Sequence, residues 1–201
     1  MPNDRAQLRG TILSEDRRTE RFLRELLGCL GFHIYKFNFR TAPSGRGDAA
    51  AWVRAQYPSE VNLLRRKRHQ RHLSLIAVRD GDNIGLLSRK ADLDRALGEA
   101  GLNRRETSEL IVNLVPTWNI ETWLLALLGV GSVDETSSQK AAFERNYGGN
   151  KESQALRDAA IAWDDLRRRV AAMRRESGAD LSSSVPSLAD SRIEMRRIGV
   201  P

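Results

Sequence analysis

Acidic side chains stand at the points where several predicted β-strands end. Glu15 follows a first β-favouring run, and Asp80 and Asp82 follow a nearly continuous apolar run. Glu121 lies in the first turn of the helix after a later run. Ligands of an open parallel sheet bind outside the carboxyl ends of its strands, so these four residues are expected at one edge. Carboxylates crowded there repel one another unless a cation is present, and oxygen ligands suit Mg²⁺ or Mn²⁺. The sequence therefore predicts a hard-metal site.

Each of these carboxylates also has a purely structural explanation. Asp80-Gly81-Asp82 fits an ordinary turn, because Asp and Gly are standard turn residues. Glu15 favours the positive amino-terminal end of the helix that follows it. Glu121 has the same explanation, and for this residue the structural role and a ligand role stay equally open. The occurrence of all four at the ends of different strands favours a site.

The elements that must position these carboxylates follow from the apolar pattern. Nearly continuous apolar runs predict parallel strands covered on both faces, whereas spacings of three and four residues predict helices. Four β–α repeats predict an α/β fold with a doubly wound, mostly parallel four-stranded sheet. Strands are predicted at Arg9–Ser14, His33–Phe39, Leu73–Asp80 and Glu109–Val115. Helices are predicted at Asp16–Leu30, from Asp48 towards His69, after the third strand up to Gly101, and at Asn119–Gly129.

The chain changes character after residue 131. Residues 132–151 are polar and predict loops, whereas Gln154–Glu176 carries apolar residues at helical spacing. A last helix is predicted from Ser187, because Ser187 and Asp190 have the spacing of a capping box. We therefore divide the chain into an α/β core, residues 1–131, and a helical C-terminal extension, residues 132–201, packed on the same domain.

The charge balance favours a polyanionic partner. Lys and Arg number 33 against 26 acidic residues, which gives a net charge of +7 and an isoelectric point near 10.1. Nucleic acid fits such a surplus, although a solvated basic surface also serves solubility alone. The chain has no run of roughly 18 apolar residues and no signal-like amino terminus, so no membrane association is predicted.

The single cysteine, Cys29, bears on the compartment. It cannot form an internal disulfide, and its place in an apolar helical run predicts a small hydrophobic core residue. A reducing compartment follows, and we predict a cytoplasmic protein.

Two motifs of the predicted core occur together. Ile12-Leu13-Ser14-Glu15 precedes a helix through Phe22, and the strand that ends at Arg79 leads into Asp80-Gly81-Asp82. This pair resembles the signature of the Toprim fold, the metal-binding module of topoisomerases, primases and OLD-type nucleases. The signature is a glutamate after the first strand and an Asp-x-Asp after a later one. The resemblance covers roughly residues 10–129. The family usually has a glycine directly after its glutamate, where this chain has Asp16.

The resemblance implies a metal-dependent phosphoryl-transfer site. In the family the Asp-x-Asp pair binds the metal and the glutamate shares it or handles protons. This assigns Asp80 and Asp82 as principal ligands and Glu15 as ligand or general base, with Glu121 completing a second metal position. The implied cofactor is Mg²⁺ or Mn²⁺. The implied activity is that of an endonuclease that hydrolyses phosphodiester bonds of DNA or structured RNA. The run Pro116–Trp123 also resembles small stand-alone Toprim-like proteins of bacterial defence loci, which implies a phage-defence effector.

Other functions stay open at this point. The alternative is a non-catalytic Toprim-like subunit that binds nucleic acid or docks on a larger ATPase partner. Primase-type nucleotidyl transfer fits less well, because no zinc module or nucleotide-binding partner domain is evident. The chain has no G-x-x-x-x-G-K-[ST] motif, so ATP hydrolysis by this chain alone is not expected. The sequence also leaves homo-oligomerisation open.

Several cations are candidates for phosphate contacts. Arg17 and Arg18 lie beside Glu15, and Arg89 and Lys90 lie in the helix after the third strand. The densest basic run, Arg65–His72, is expected towards the opposite end of that strand, where it either follows a phosphate backbone or forms a solvated helix end.

The remaining candidates favour structural roles. Trp118 and Trp123 flank Glu121 at helical spacing and are predicted to be core residues. His69 and His72 lack a third histidine or a cysteine nearby, so zinc is not expected.

Overall fold

Four parallel strands form the only sheet of the described chain. The computed structural model describes residues 4–43, 48–130, 133, 135–176 and 185–200, with the backbone alone over 167–176. The sheet order is β2-β1-β3-β4, so the predicted parallel sheet is confirmed. The strands are β1 (Arg9–Ser14), β2 (Phe37–Thr41), β3 (Leu73–Val78) and β4 (Ile111–Leu114).

Helices cover both faces of this sheet. One core contains buried residues of α1, α4, α5, α6 and α7, and a second lies between the other face and the helices α2 and α3. This arrangement confirms the doubly wound α/β fold. The helices are α1 (Arg17–Cys29), α2 (Ala49–Arg66), α3 (Leu86–Glu99), α4 (Ile120–Leu127), α5 (Lys140–Tyr147), α6 (Glu152–Glu176) and α7 (Pro186–Met195).

The strand order places a topological switch point between β1 and β3. The chain runs from β1 to β2 on one side and then returns to add β3 and β4 on the other. The two central strands lie unusually close at Gly10, where a Cβ would come within 1.8 Å of the Ser74 carbonyl oxygen. Ligands of open α/β sheets bind at the carboxyl ends of the strands beside such a switch point.

The second strand begins later than the sequence predicts. Residues Ile34–Lys36 form a 3₁₀ turn, and β2 starts only at Phe37. Phe37 pairs with Gly10, and β1 itself begins one residue before Gly10. Residues 33–35 would therefore have no strand to pair with, which explains why their β-favouring side chains do not form one.

The C-terminal region differs from the prediction in two places. The stretch 132–151, predicted as loops, contains α5, which is anchored by the fully buried ring of Phe143. Helix α7 begins after Val185, and no side chain caps it. The capping box is wrong because the Ser187 hydroxyl is engaged elsewhere: it accepts from Trp123 Nε1 at 2.6 Å and donates to Glu135. The predicted boundary between residues 131 and 132 lies outside the described residues.

Cys29 is exposed, so its prediction as a core residue is wrong. The buried stripe of α1 consists of Thr19, Phe22, Leu23, Leu26 and Leu27. Cys29 is the last residue of the helix and lies off this stripe. Within the described residues, no helix combines the length and the apolar character that a membrane span requires.

Candidate active site at the carboxyl end of the sheet

Two of the predicted carboxylates meet beside the switch point. Glu15 directly follows β1, and Asp80 comes two residues after β3, its neighbour in the sheet. The backbone N–H of Asp80 donates to Glu15 Oε1 at 3.2 Å. The sheet therefore brings together the first strand's glutamate and the first aspartate of the Asp-Gly-Asp turn.

Burial changes the acidity of Glu15. Its side chain is 10% exposed, and burial raises its pKa to about 7. The guanidinium groups of Arg79 and Arg89 oppose this increase, whereas the charge of Asp82 adds to it. Arg79 Nε lies 3.8 Å from Glu15 Oε1. A carboxyl group with a pKa near neutrality can both accept and return a proton at physiological pH.

Asp80 is a buried carboxyl group whose only opposing charge among the leading influences on its pKa is that of Lys140. It is 5% exposed, and burial together with the charge of Glu15 raises its pKa well above the usual range. Lys140 opposes the increase, whereas Asp16 and Glu121 add to it. Across the described ranges, no hydrogen bond or ion pair engages the Asp80 carboxylate. A nearby cation would favour its ionised form.

Asp82 lies at the rim of this group. Its side chain is half exposed, and its Oδ2 accepts a hydrogen bond from Arg89 Nη2 at 2.6 Å. The backbone of Asp82 is left-handed, with φ 45°, and Trp118 opposite it has φ 65°. The Asp82 N–H donates to the Trp118 carbonyl at 3.0 Å. Two non-glycine residues in this costly conformation face each other here, a pattern that clusters at functional sites.

Gly81 permits the close approach of these two loops. Its N–H donates to the Pro116 carbonyl at 2.8 Å, and a Cβ at this position would lie 3.0 Å from the same oxygen. The Asp-Gly-Asp segment is thus held against the loop after β4 and is more than a solvated turn.

Glu121 is buried and paired, with 3% of its side chain exposed. Its Oε1 accepts from Arg18, which also pairs with Glu144 and Glu152. Its Oε2 is buried and has no hydrogen-bond partner among the described residues. Glu121 is therefore neither an exposed helix-dipole residue nor a fully satisfied ion-pair partner. Its Oε2 could still accept a hydrogen bond or contact a cation.

Most of the predicted phosphate contacts are engaged in internal ion pairs. Arg18 is held by three carboxylates and Arg89 by Asp82. Lys90 donates to Asp190 at 2.7 Å and to Glu194 at 3.0 Å, on the side of α7. Arg17 is exposed and makes no ion pair within the described chain. Of the four cations, Arg17 alone is available to a phosphate.

The structure does not bring the four predicted ligands into one metal shell. In the part of the chain that is described, no three Asp, Glu, His or Cys side chains form a group that could hold a metal ion. Glu15 and Asp80 are nevertheless candidates for a hard-metal site, because they are adjacent and largely buried, and Asp80 has no ion-pair partner among the described residues. Mg²⁺ commonly uses only one or two carboxylates together with water and substrate phosphate. A two-carboxylate site fits these residues, whereas a four-carboxylate site does not.

Sequence reasoning missed two residues near this group and misplaced a third. Lys140, whose charge lowers the pKa of Asp80, opens a helix in a stretch that reads as loops. Asp16 caps α1 by accepting a hydrogen bond from the Thr19 N–H at 2.8 Å. The negative charge of Asp16 also raises the pKa of Asp80. Trp123 is buried as predicted, but Trp118 is only partly buried beside the Asp82 turn. A capping signal at Asp16 was readable in the sequence, whereas the position of Lys140 depends on tertiary folding.

Comparisons with known proteins give no relative from which to assign the site. The chain matches none of the protein-family models, curated proteins or solved structures. What this group of side chains can do must therefore be argued from its own geometry and charge.

Proposed function

We propose that the chain is a divalent-metal-dependent phosphodiester hydrolase of Toprim-like type, an endonuclease that acts on DNA or structured RNA. The observation that carries this proposal is the pair Glu15 and Asp80, two adjacent carboxyl groups beside the switch point of a parallel sheet, of which Asp80 is buried and Glu15 is 10% exposed. Both have raised pKa values. Perturbed acids at the expected ligand position of the fold are typical of functional sites.

Glu15 and Asp80 would hold Mg²⁺ or Mn²⁺, which when bound would stabilise negative charge on a phosphate and acidify a bound water. The pKa of about 7 belongs to the metal-free site, because a bound cation would lower it. Glu15 would therefore serve either as a ligand of the ion or as the base that accepts a proton from the attacking water, and not as both at once. Lys140 and Arg17 are the cations of this edge that are open to a phosphate. We assign Asp82 a positioning role, because it fixes Arg89, whose charge acts on Glu15.

A second candidate is a non-catalytic subunit that binds nucleic acid or a partner ATPase. The pairing of Arg18 and Arg89 with internal carboxylates favours it, because a working nuclease site needs free cations around the scissile phosphate. The absence of a three-ligand group among the described residues favours it as well. In this case Asp80, which is 5% exposed, would be a buried carboxyl group of the fold and not a catalytic one.

Cleavage of a labelled pool of DNA and RNA oligonucleotides separates the two candidates. We expect cleavage with Mn²⁺ or Mg²⁺, none with EDTA, and loss of cleavage in Asp80→Asn. Asp165→Asn is the matched control, because it removes an exposed carboxylate of α6 far from the site. Cleavage that survives EDTA or Asp80→Asn would contradict the metal-dependent proposal. Binding without cleavage under all conditions would favour the non-catalytic subunit.

A further inference from the structure

Exposed cations cluster at the end of the sheet opposite the carboxylates. Lys67, Arg68 and Arg71 connect the end of α2 to the start of β3, and all three are exposed. None of them makes an ion pair with a carboxylate in the described part of the chain. Arg18 and Arg89, at the other end, are both held by acidic groups. The basic surplus is therefore most available where the strands begin.

Three adjoining cavities line this end. A cavity of about 490 Å³ is lined by Arg68, Arg71 and His72, and a second of about 440 Å³ shares Arg71 and His72. The second cavity also contains Arg9 and Lys36, which in turn line a third cavity of about 230 Å³. The shared residues join the three cavities into one continuous surface. We call it the basic strip, and it consists of Lys36, Arg9, His72, Arg71, Arg68 and Lys67.

The backbone of His72 is strained in the middle of this strip. It is left-handed, with φ 69°, and it is one of three non-glycine residues with positive φ in the described chain. The other two, Asp82 and Trp118, lie at the candidate active site. The His72 carbonyl accepts from the Arg9 N–H at 2.9 Å, which ties the start of β3 to the start of β1. Retained strain of this kind is a mark of functional positions.

We propose that the basic strip binds the sugar-phosphate backbone of a nucleic acid strand. A row of cations over three cavities matches successive phosphates better than it matches one small anion. The largest of these three cavities is also lined by Leu64, Leu73 and Leu110, against whose apolar side chains an unstacked base can pack. Its side-chain amides, Gln70 and Asn103, can contact the edge of that base.

The acidic wall of the largest cavity sets the orientation of the strand. Glu109 is neutralised by Arg65, whose Nε lies 2.6 Å from its Oε1. Glu106 is exposed and forms no ion pair among the described residues, so the phosphates lie on the side of Arg68 and Arg71.

The strip and the candidate active site lie at opposite ends of the same strands. The six residues of β3 span roughly 20 Å at about 3.3 Å per residue. A stacked strand rises about 3.4 Å per nucleotide, so roughly six stacked nucleotides cover this distance, and fewer are needed where the bases are unstacked. The inference rests on the proposed function only for the identity of the polymer, because binding at the strip requires neither metal nor cleavage.

Binding of a fluorescent 20-nucleotide strand, measured in EDTA, tests the strip. The variant carries Lys67→Ala, Arg68→Ala and Arg71→Ala, and the matched control carries Arg95→Ala, Arg145→Ala and Lys151→Ala, which remove the same charge from exposed sites elsewhere. We expect at least tenfold weaker binding by the strip variant and less than threefold by the control. The salt dependence of log K should lose a slope of about 2, since each phosphate contact on a single strand contributes about 0.7.

Three results would overturn the proposal. An equal loss in both triple variants would show that only net charge matters. A mononucleotide that competes as well as the 20-nucleotide strand would show a small-anion site, and polyglutamate competing equally would show a protein-binding surface. Thermal melting checks that the variants fold, and single Arg68→Glu and Arg71→Glu replacements repeat the test if the triple variant melts early. Binding in EDTA without cleavage in Mn²⁺ would leave the strip standing and the nuclease proposal refuted.

Discussion

The two ends of the sheet differ in the type and the burial of their ionisable side chains. Acidic groups are largely buried at one end, and basic groups are exposed at the other. At the carboxyl end, Glu15 and Asp80 are largely buried and have raised pKa values. Arg79 lies 3.8 Å from Glu15, whereas Asp80 has no ion-pair partner among the described residues. At the amino end, Arg68 and Arg71 are exposed around open cavities with no acidic partner among the described residues. The carboxyl end of the sheet would therefore favour a bound cation, and the amino end would favour a bound anion. A net charge of +7 summarises the chain but hides this polarity.

A third region provides a reference for a buried carboxylate that is fully satisfied. Glu194 of α7 is as buried as Asp80, but it accepts from Arg105 at 2.5 Å and 2.8 Å and from Lys90 at 3.0 Å. Glu194 also accepts a hydrogen bond from the backbone N–H of Asn113 at 3.2 Å. Asn113 belongs to β4, the edge strand of the sheet, so this contact covers part of that edge. These contacts hold the pKa of Glu194 at about 2. Glu194 and Asp80 therefore differ in their partners: the charge of Glu194 is compensated by two cations, whereas Asp80 has no ion-pair partner among the described residues.

The largest expected effect is a difference in stability between two substitutions. Neutralising Glu194 should lower the free energy of unfolding, whereas neutralising Asp80 should not. Glu194→Gln should lower the free energy of unfolding by about 3 kcal/mol, because it leaves the largely buried Arg105 without its carboxylate partner, whereas Lys90 keeps Asp190. Asp80→Asn should leave the metal-free protein equally or more stable, because it removes an uncompensated buried group. Chemical denaturation in EDTA measures both.

Metal sharpens the same comparison. Mn²⁺ should raise the melting temperature of the wild type and of Glu194→Gln but not of Asp80→Asn, since a ligand stabilises only the state that binds it. A substantial destabilisation of the metal-free protein by Asp80→Asn would return Asp80 to a structural role.

The next effect is a difference in pH dependence between the two kinds of carboxylate. Burial raises the pKa of Glu15 from 4.5 to about 7, so its contribution to stability is complete below about pH 4.5 and is lost as the pH rises through 7. The pKa of Glu194 is lowered to about 2, so its contribution is present above about pH 4.5 and is lost as the pH falls towards 2. The loss attributable to Glu15 is on the order of 2 to 3 kcal/mol.

Unfolding free energies measured from pH 3 to pH 8 test this difference. Glu15→Gln should flatten the decline between pH 4.5 and 7 and leave the acid limb unchanged, whereas Glu194→Gln should weaken the acid limb alone. Glu106→Gln, at an exposed glutamate, is the control. An unchanged decline in Glu15→Gln would show that burial does not perturb this carboxyl group in solution.

The sheet was predictable because its signals are local. The run 9–14 is β-favouring and the run 73–78 is nearly continuously apolar, and they form β1 and β3 at those positions. Asp16 and Gly129 mark helix ends in the sequence and lie at helix ends in the structure. The start of β2 and helix α5 were missed, because they depend on strand register and on a docking site for Phe143 that no short window contains.

The sequence predicts only the part of the site whose position follows from the strand order of the sheet. Glu15 and Asp80 follow neighbouring strands, and any parallel sheet with this order brings them together. The partners of Arg18 and Lys90 lie up to 134 positions away in the sequence, so their pairing could not be read from spacing. Arg89 pairs with Asp82, seven positions away, but the turn between them has to fold before the two side chains meet. The same limit hid the basic strip, since a run of cations looks alike whether or not acidic residues fold onto it.

The smallest expected effect concerns Glu121, which stands between the two kinds of carboxylate. Its Oε1 is bound by Arg18, as in a structural ion pair, whereas its Oε2 is buried without a partner. Glu121→Gln should cost only about 1 kcal/mol of stability, because Arg18 keeps its two other carboxylates. Cleavage, however, should fall and require more Mn²⁺, since the charge of Glu121 acts on Asp80 and an amide would remove it.

Glu144→Gln separates the two roles of Glu121. Glu144 binds the same arginine but is half exposed, and the groups that perturb the pKa of Asp80 do not include it among the leading causes. If Glu121 acts only by anchoring Arg18, both substitutions should change the Mn²⁺ dependence of cleavage equally. If its free oxygen serves the site, Glu121→Gln should shift that curve and Glu144→Gln should leave it in place. The free oxygen predicts the second result, because anchoring by three carboxylates tolerates the loss of one, whereas a single unpartnered oxygen has no substitute.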